Sequence, residues 1–307
     1  SFLKVRNDFV KNGGNVTMDQ DTAAIEVDND YTITADAGSS DWSDGYTTVS
    51  GDVAISGAST FIYGGVGHPV FTMDGTGDFT LAITGANNTV GTTSVLAELD
   101  INLGTSVSTV TATSALPLRD LQIYKGEFIT NGQDITNSRV LVMHNTGTFT
   151  MASGTLTLGS DDLAPDLVAI WHQNTGSTAN ISGGTITLEG IGHSYYGAMF
   201  IQDGSVFNAT GGTFQFIGND NSVIDIEESD ASDFKIYNFT VGDGTNSHTV
   251  TLSASSTIDF KVDNDITINA NATLSANGEP IVLVGDWTNS GTFTHGNNTV
   301  TFESADA

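Results

Sequence analysis

The chain has 307 residues, of which 36 are acidic and eight are basic, and its formal net charge is −28 at pH 7. This charge argues against binding to nucleic acid, because phosphate recognition needs clusters of Lys and Arg. The chain has no Cys, so disulfides cannot report its cellular compartment. No apolar run approaches the roughly 18 residues that a membrane-spanning helix needs, and we expect no membrane insertion.

The remaining composition predicts short strands and tight turns. Hydrophobic residues make up 38% of the chain, which is enough for a buried core. The chain has 35 Gly and only four Pro, and β-branched residues, Asn and Asp are abundant. No stretch of ten residues shows a convincing period of 3.6. An acidic, Cys-free chain rich in Thr, Ser, Gly and Asn is typical of exported microbial surface proteins, so we expect it to be secreted or at the cell surface.

Residues 1–115 carry the weaker half of the pattern. Pairs of apolar residues that alternate with polar ones recur there about every 28 residues, with one short step before Leu99. These pairs are Ile25/Val27, Val53/Ile55, Leu81/Ile83 and Leu99/Ile101. We expect this part to form less regular N-terminal coils or a cap, and residues 116–307 to form the regular solenoid, which can continue directly from it.

The clearest repeat lies between Val140 and Gly218. Three segments align over their whole length, and the same apolar pairs continue through Phe128, Leu156/Leu158, Ile186/Leu188, Phe214/Phe216 and Phe239/Val241. Polar columns accompany them, and the glycine column precedes a Thr-x-apolar strand each time. The columns are His144/Gln173/Gln202, Asn145/Asn174/Asp203 and Gly154/Gly184/Gly212.

A repeated unit of this kind predicts a solenoid. One unit cannot bury its apolar face alone, whereas stacking equivalent strands in parallel buries it against the next unit. We therefore predict an all-β, right-handed parallel β-helix (β-solenoid) with coils of about 28 residues. An all-β sandwich is the alternative, but sandwiches do not repeat whole sequences.

Residues 234–303 resemble a repeat of very large bacterial and archaeal adhesin-like surface proteins. The matching features are the opening F-K-I-Y-N-F-T-V-G between Phe234 and Gly242, the segment D-I-T-I-N-A, and W-T-N-S-G-T-F-x-x-G-x-x-T-V-T-F between Trp287 and Phe302. The resemblance implies an exported scaffold or adhesive stalk and carries no catalytic residues. Another repeat usually follows in such proteins, and the first residue is not Met, so we expect an excerpt of a longer chain or a processed one.

Two acidic segments are candidate cation sites. Carboxylates within a turn can supply the oxygen ligands that Ca²⁺ prefers, although neither segment has an EF-hand pattern. The alternative for both is a solvated acidic turn. The main cluster is Asp225, Glu227, Glu228, Asp230 and Asp233; the second is Asp161, Asp162 and Asp166.

Aromatic residues suggest a place for carbohydrate contact. Trp171, Tyr195 and Tyr196 could form a stacking platform for sugars, with packing in the core as the alternative. Asp225 and Glu227 share one strand face, but hydrolysis of a polysaccharide is the weaker interpretation because those carboxylates face solvent. His144 and His172 lack the further ligands that zinc requires.

These features favour a structural role over catalysis. We expect no enzyme activity, no cofactor apart from possible Ca²⁺, and a module of an extracellular fibre, sheath, stalk or adhesin that assembles end to end. The expected partners are further copies, neighbouring surface proteins or glycans. The alternative is a carbohydrate-active enzyme or carbohydrate-binding module built on a β-helix.

Overall fold

A computed structural model describes residues 2–12, 17–34, 41–56, 70–84, 96–159, 171–189, 197–218, 221–253 and 258–303. Across these ranges the chain forms strands and no helix, and accordingly no helix long and apolar enough to cross a membrane. The strands are Phe2–Val5 (β1), Phe9–Lys11 (β2), Thr17–Val27 (β3), Tyr31–Ile33 (β4), Asp41–Val49 (β5), Val53–Ser56 (β6), Val70–Met73 (β7), Asp78–Thr84 (β8), Leu96–Asn102 (β9), Thr109–Ala112 (β10), Leu116–Ile129 (β11), Ile135–Met151 (β12), Thr155–Leu158 (β13), Trp171–Gln173 (β14), Thr178–Glu189 (β15), Met199–Ile201 (β16), Val206–Ile217 (β17), Ser222–Ile226 (β18), Phe234–Lys235 (β19), Asn238–Val241 (β20), His248–Leu252 (β21), Phe260–Val262 (β22), Ile266–Ile268 (β23), Ala272–Ser275 (β24), Ile281–Leu283 (β25), Trp287–Asn289 (β26), Thr292–Thr294 (β27) and Val300–Phe302 (β28).

Every described strand pairing is parallel, and the pairings form three ladders. Ladder A joins β1, β3, β5, β7, β9, β11, β12, β14, β16, β18, β21, β24 and β27. Ladder B joins β2, β4, β6, β8, β10, β11, β12, β15, β17 and β19, and continues through the Ile236–Val262 bridge to β22, β25 and β28. Ladder C joins β11, β12, β13, β15, β17, β20, β23 and β26.

This arrangement confirms the predicted all-β solenoid and excludes the sandwich, whose sheets pack face to face. The coil length varies along the chain. Leu141 pairs with Trp171, and Trp171 with Met199, after steps of similar length. Leu121 already pairs with Leu141, so the coil between these two residues is markedly shorter. The right-handed sense and a uniform coil length stay predictions.

The core runs inside the stacked coils. Alternation along each strand turns every second side chain inward, where the next coil covers it. Along ladder C, Leu156, Ile186, Phe214, Phe239 and Ile266 are successive partners and are all buried. Neighbouring coils also interlock through aromatic rings, such as Phe216 and Phe239 with centroids 5.7 Å apart. The sequence therefore encodes one continuous core.

The N-terminal part of the chain belongs to the same stack. Strands β9 and β10 both pair with β11, so ladders A and B pass residue 115 without a break. Ladder C is extended by one step where Leu96 lies opposite Leu118. In the described residues before Leu96, ladders A and B account for most of the pairing, which agrees with the weaker repeat seen there.

The predicted glycine column is confirmed, whereas the two predicted polar columns are wrong by one residue in the coil that contains Gln173. Gly154, Gly184 and Gly212 precede strands that pair as Thr155↔Thr185↔Thr213, as the alignment predicted. Gln173, however, is the partner of Met143 and Ile201 and points inward with no exposed surface. The register therefore places Asn174 beside His144 and Thr175 beside Asn145, because the two Asn-Thr-Gly tripeptides start one position apart.

The long series of apolar pairs also needs correction. All of its members are buried, but they do not form one ladder. Ile25 pairs with Thr47 in ladder A, whereas Val53 pairs with Leu81 in ladder B. The apparently constant period before Leu99 thus combined residues from two different sides of the coil.

Candidate functional site

The acidic segment after β18 leaves the end of a ladder A strand. Ile224 and Ile226 face inward as predicted, and Asp225 between them is half-buried. Glu227 is exposed, whereas only 1% of Glu228 is exposed. Asp230 is exposed and Asp233 half-buried. The five side chains therefore lie at different depths and on different sides of the turn.

The carboxylates of this segment accept hydrogen bonds from the turn itself. Glu228 Oε1 accepts from the backbone N–H groups of Ser229 at 2.9 Å and Asp230 at 3.2 Å. Asp230 Oδ1 accepts from the backbone N–H of Ser232 at 2.9 Å and from its hydroxyl at 2.7 Å. These bonds lower the pKa of Asp230, since they stabilise the ionised form.

The common cation site at these five residues stays a prediction. In the part of the chain that the structure describes, no group of three or more His, Asp or Glu side chains is arranged to hold a metal ion. Glu228 and Asp230 accept hydrogen bonds from local donors, as acidic residues in turns commonly do. The second predicted cluster, Asp161, Asp162 and Asp166, lies outside the described residues.

Trp171 is a core residue, and the expected sugar contact is wrong for it. Its side chain has no exposed surface. The indole packs edge-on against Phe149 at 5.7 Å, Phe207 at 5.6 Å and Phe214 at 5.8 Å between ring centroids. Tyr195 and Tyr196 lie outside the described residues. The carbohydrate site therefore loses its central aromatic residue.

His144 and His172 lie on the outer side of ladder A but serve separate contacts. The ring of His144 stacks on Tyr124, and that of His172 packs edge-on against Phe200 at 5.0 Å. Burial lowers the pKa of both histidines, and proximity to His144 lowers that of His172 further. Both are therefore neutral at pH 7, and neither belongs to a metal-binding group among the described residues.

A group of carboxyls that the sequence analysis missed lies on the same face, at β9 and β11. Glu98 and Asp100 alternate on β9, and the register places Asp120 beside Glu98. Burial, then the charge and hydrogen bond of Glu98 and the charge of Asp120, raise the pKa of Asp100 to about 7. Arg139 Nη1 lies 3.2 Å from Asp120 Oδ2 and offsets part of this charge. The signal in the sequence was the E-x-D spacing within an otherwise apolar strand.

The ends of the solenoid differ chemically from its sides. At the first coil, β1 and β2 each pair with one strand only, and at the last coil the same holds for β26, β27 and β28. Each of these strands has an unpaired edge among the described residues. Such edges can accept a further parallel strand.

Comparison with known proteins adds no family. No protein-family model, no curated protein and no solved structure matches the chain. The function is therefore inferred from the solenoid fold, the ends of the solenoid and its outer surface.

Proposed function

We propose that the chain is a structural module of an extracellular fibre, sheath, stalk or adhesin, and that its coils join end to end. The observation that carries the proposal is the chemistry of the first and last described coils, each of which combines strand edges unpaired among the described residues with exposed core-type side chains. Another coil with the same three sides would pair with the strand edges and cover the apolar side chains, because it supplies parallel strands and an apolar interior together.

The N-terminal end exposes the interior of the first coil. Leu3 and Val5 point toward the core opposite Ile25 and Val27, yet 49% of Leu3 remains exposed. Phe9 stacks on Tyr31 of the next coil with 5.0 Å between centroids and is only half-buried on its other side. A coil added at this end would cover these side chains.

The C-terminal end is the counterpart. Trp287, Phe293 and Val300 are the inward residues of the last coil, one from each ladder, and all three are partly exposed. The Trp287 and Phe293 rings meet edge-on at 4.9 Å, so the end presents an ordered aromatic surface. Covering apolar surface contributes about 25 cal/mol per Å² to association.

Charge favours joining unlike ends. At the N-terminal end Lys4 is ion-paired with Glu26 and Asp28, and Lys11 is buried, so Arg6 is the exposed basic residue of residues 2–12. Residues 279–303 contain no Lys or Arg, and Asp286 and Glu303 are exposed there, whereas Glu279 is buried and burial raises its pKa to about 7. The attraction is between an N-terminal and a C-terminal end, and head-to-tail contacts of this kind build open filaments.

Electron microscopy of the purified chain over a range of concentrations tests the proposal. We expect linear particles that lengthen with concentration, because each added copy uses one free end. Leu3→Glu should shorten them by placing a carboxylate at the apolar joint, and Arg6→Glu should do so by removing the charge complementarity.

Val107→Glu is the matched control, since Val107 is 84% exposed and lies between β9 and β10, away from both ends. It should assemble like the parent chain. A chain that stays monomeric at every concentration contradicts the proposal, as does unchanged assembly of Leu3→Glu.

A further inference from the structure

Asp203 and Glu228 occupy the same position in two adjacent coils. Ile201 and Ile226 are cross-strand partners, and each acidic residue follows its isoleucine by two positions. Neighbouring parallel strands lie about 4.8 Å apart, so the two side chains stack directly. The same column holds Asn145 and Thr175 in the two preceding coils, which are uncharged. Among these four described coils, a carboxyl pair therefore appears at this step of the column alone.

Both carboxyls are held in place, and one is buried. Asp203 Oδ1 accepts from the Ser229 backbone N–H at 3.0 Å and from its hydroxyl at 2.6 Å. These bonds lower the pKa of Asp203, so it is ionised at neutral pH. Glu228 is 1% exposed, and its Oε1 is occupied by two backbone donors. Its Oε2 is buried and receives no N–H or O–H hydrogen bond among the described residues, and its side chain lies within hydrogen-bond distance of that of Asp203.

No basic side chain among the described residues neutralises this pair. None of the ion pairs among the described residues includes Asp203 or Glu228. Like charges directly opposite each other on neighbouring strands are destabilising, and a buried acceptor without a partner adds to the cost. Asp225 and Glu227 add further negative charge nearby. A cation between the carboxyls of Asp203 and Glu228 would therefore stabilise this arrangement.

We propose that a calcium ion binds between the carboxylates of Asp203 and Glu228 and bridges the two coils. Hard oxygen ligands are those that Ca²⁺ prefers. One oxygen of each carboxylate already accepts hydrogen bonds from the turn, so the pair supplies about two of the six to eight oxygens that Ca²⁺ takes. Water completes the shell from the exposed side of Asp203. With only two protein side chains the site is weak, with a Kd on the order of 10⁻⁴–10⁻³ M, as in other extracellular modules.

This site differs from the cluster expected from the sequence. It keeps Glu228 alone of the five residues and adds Asp203, which lies one coil earlier in the chain. The two approach only because the coils stack in this register, which explains why local spacing did not reveal them. The small number of protein ligands also agrees with the finding that no group of three acidic or histidine side chains converges among the described residues.

Isothermal titration calorimetry with CaCl₂ at a fixed NaCl concentration of about 150 mM tests the site, since that salt screens non-specific attraction to the acidic surface. We expect one Ca²⁺ per chain and a melting temperature that rises with Ca²⁺ and returns on adding EDTA. Asp203→Asn and Glu228→Gln should each weaken binding about tenfold or more, because the site loses half of its ligand charge.

Asp243→Asn is the matched control. Asp243 is an exposed turn carboxylate that accepts from Thr245 and Asn246, with no carboxylate described in contact with it. It should leave calcium binding unchanged. Equal affinity in Asp203→Asn and the parent chain overturns the proposal, and Asp203 is exposed enough for that variant to fold. Absence of any calcium response in the parent chain overturns it as well.

Discussion

The rings of Tyr124 and His144 stack across adjacent coils, with centroids 4.3 Å apart and planes 3° from parallel. Both residues hydrogen-bond Gln122. The Tyr124 hydroxyl donates to Gln122 Oε1 at 2.9 Å, and His144 Nε2 lies 3.1 Å from the same oxygen. The Gln122 amide nitrogen donates to Glu98 in turn, which fixes the orientation of the amide. His144 therefore carries its proton on Nε2 and donates it to Gln122.

Gln122→Ala tests this network. The substitution removes the shared acceptor of Tyr124 and His144 and the donor to Glu98, so three part-buried groups lose a partner. We expect a loss of about 1–3 kcal/mol in the free energy of unfolding, measured by urea denaturation. Tyr124→Phe removes one of these bonds only and should cost about 0.5–1.5 kcal/mol. Equal stability of Gln122→Ala and the parent chain contradicts the network.

Two carboxyls with raised pKa values should make stability fall with rising pH. Burial and neighbouring acidic groups raise the pKa of Asp100 from 3.8 to about 7 and that of Glu279 from 4.5 to about 7. The groups that face Asp100 are Glu98 and Asp120, and Asp259 faces Glu279. Because the folded chain binds protons more tightly at both carboxyls, their contribution is present near pH 4 and is lost as pH rises through 7.

Thermal unfolding at pH values from 4 to 8 measures this effect. The whole acidic chain also repels itself more at high pH, so the comparison that counts is between variants. Asp100→Asn and Glu279→Gln keep the shape of the protonated acid and cannot ionise. Each should reduce the fall in melting temperature between pH 5 and pH 8. A fall of the same size in both variants and the parent chain contradicts the assignment.

The glycine column at the corner between ladders B and C predicts a steric effect. Gly184 has a φ of +85°, and a Cβ there would lie 2.6 Å from the carbonyl oxygen of Gly154 in the preceding coil. Gly244 has a similar φ of +80° but no atom within 4 Å of its Cβ position. Gly244→Ala should cost about 1–2 kcal/mol from the left-handed backbone alone. Gly184→Ala should cost clearly more, and equal losses in urea denaturation would show that the coils do not approach this closely.

Trp171→Ala tests the core position of Trp171. Removing a fully buried indole that three phenylalanines surround should cost about 3–5 kcal/mol, and Trp171→Phe should cost less. The control is Val107→Ala at an 84% exposed position, which should change stability by less than about 0.5 kcal/mol. A loss below about 1 kcal/mol for Trp171→Ala points to an exposed ring.

The fold was predictable where the coil length stays nearly constant. The column through Leu156, Ile186 and Phe214 follows steps of similar length, and the structure pairs these residues directly. Between Leu121 and Leu141 the step is much shorter, so a residue predicted by extending the constant period belongs to a different ladder. Sequence alone does not reveal such a change, since every side of the coil has the same alternation of apolar and polar residues.

The sites were less predictable, because they depend on contacts between coils. Tryptophan is a residue type that often contacts sugars, but the side chain of Trp171 points into the core, and this position decides its role. Asp203 and Glu228 are distant in sequence and meet through the register of β16 and β18. An error of one residue in the register of two strands assigns a side chain to the opposite face. Gln173 on β14 is an example, because the alignment placed it beside His144 and the structure pairs it with Met143.

Hydrogen–deuterium exchange of the purified chain at low and high concentration tests end-to-end joining most directly. We expect backbone amides in the end strands to become protected from exchange as the concentration rises, because the edges of these strands pair with the next copy. The end strands are β1, β2, β26, β27 and β28. Strands β15 and β17, which pair on both sides, should be protected at every concentration. End strands that exchange at the same rate at all concentrations, or new protection only on the sides of the coils, would contradict the account.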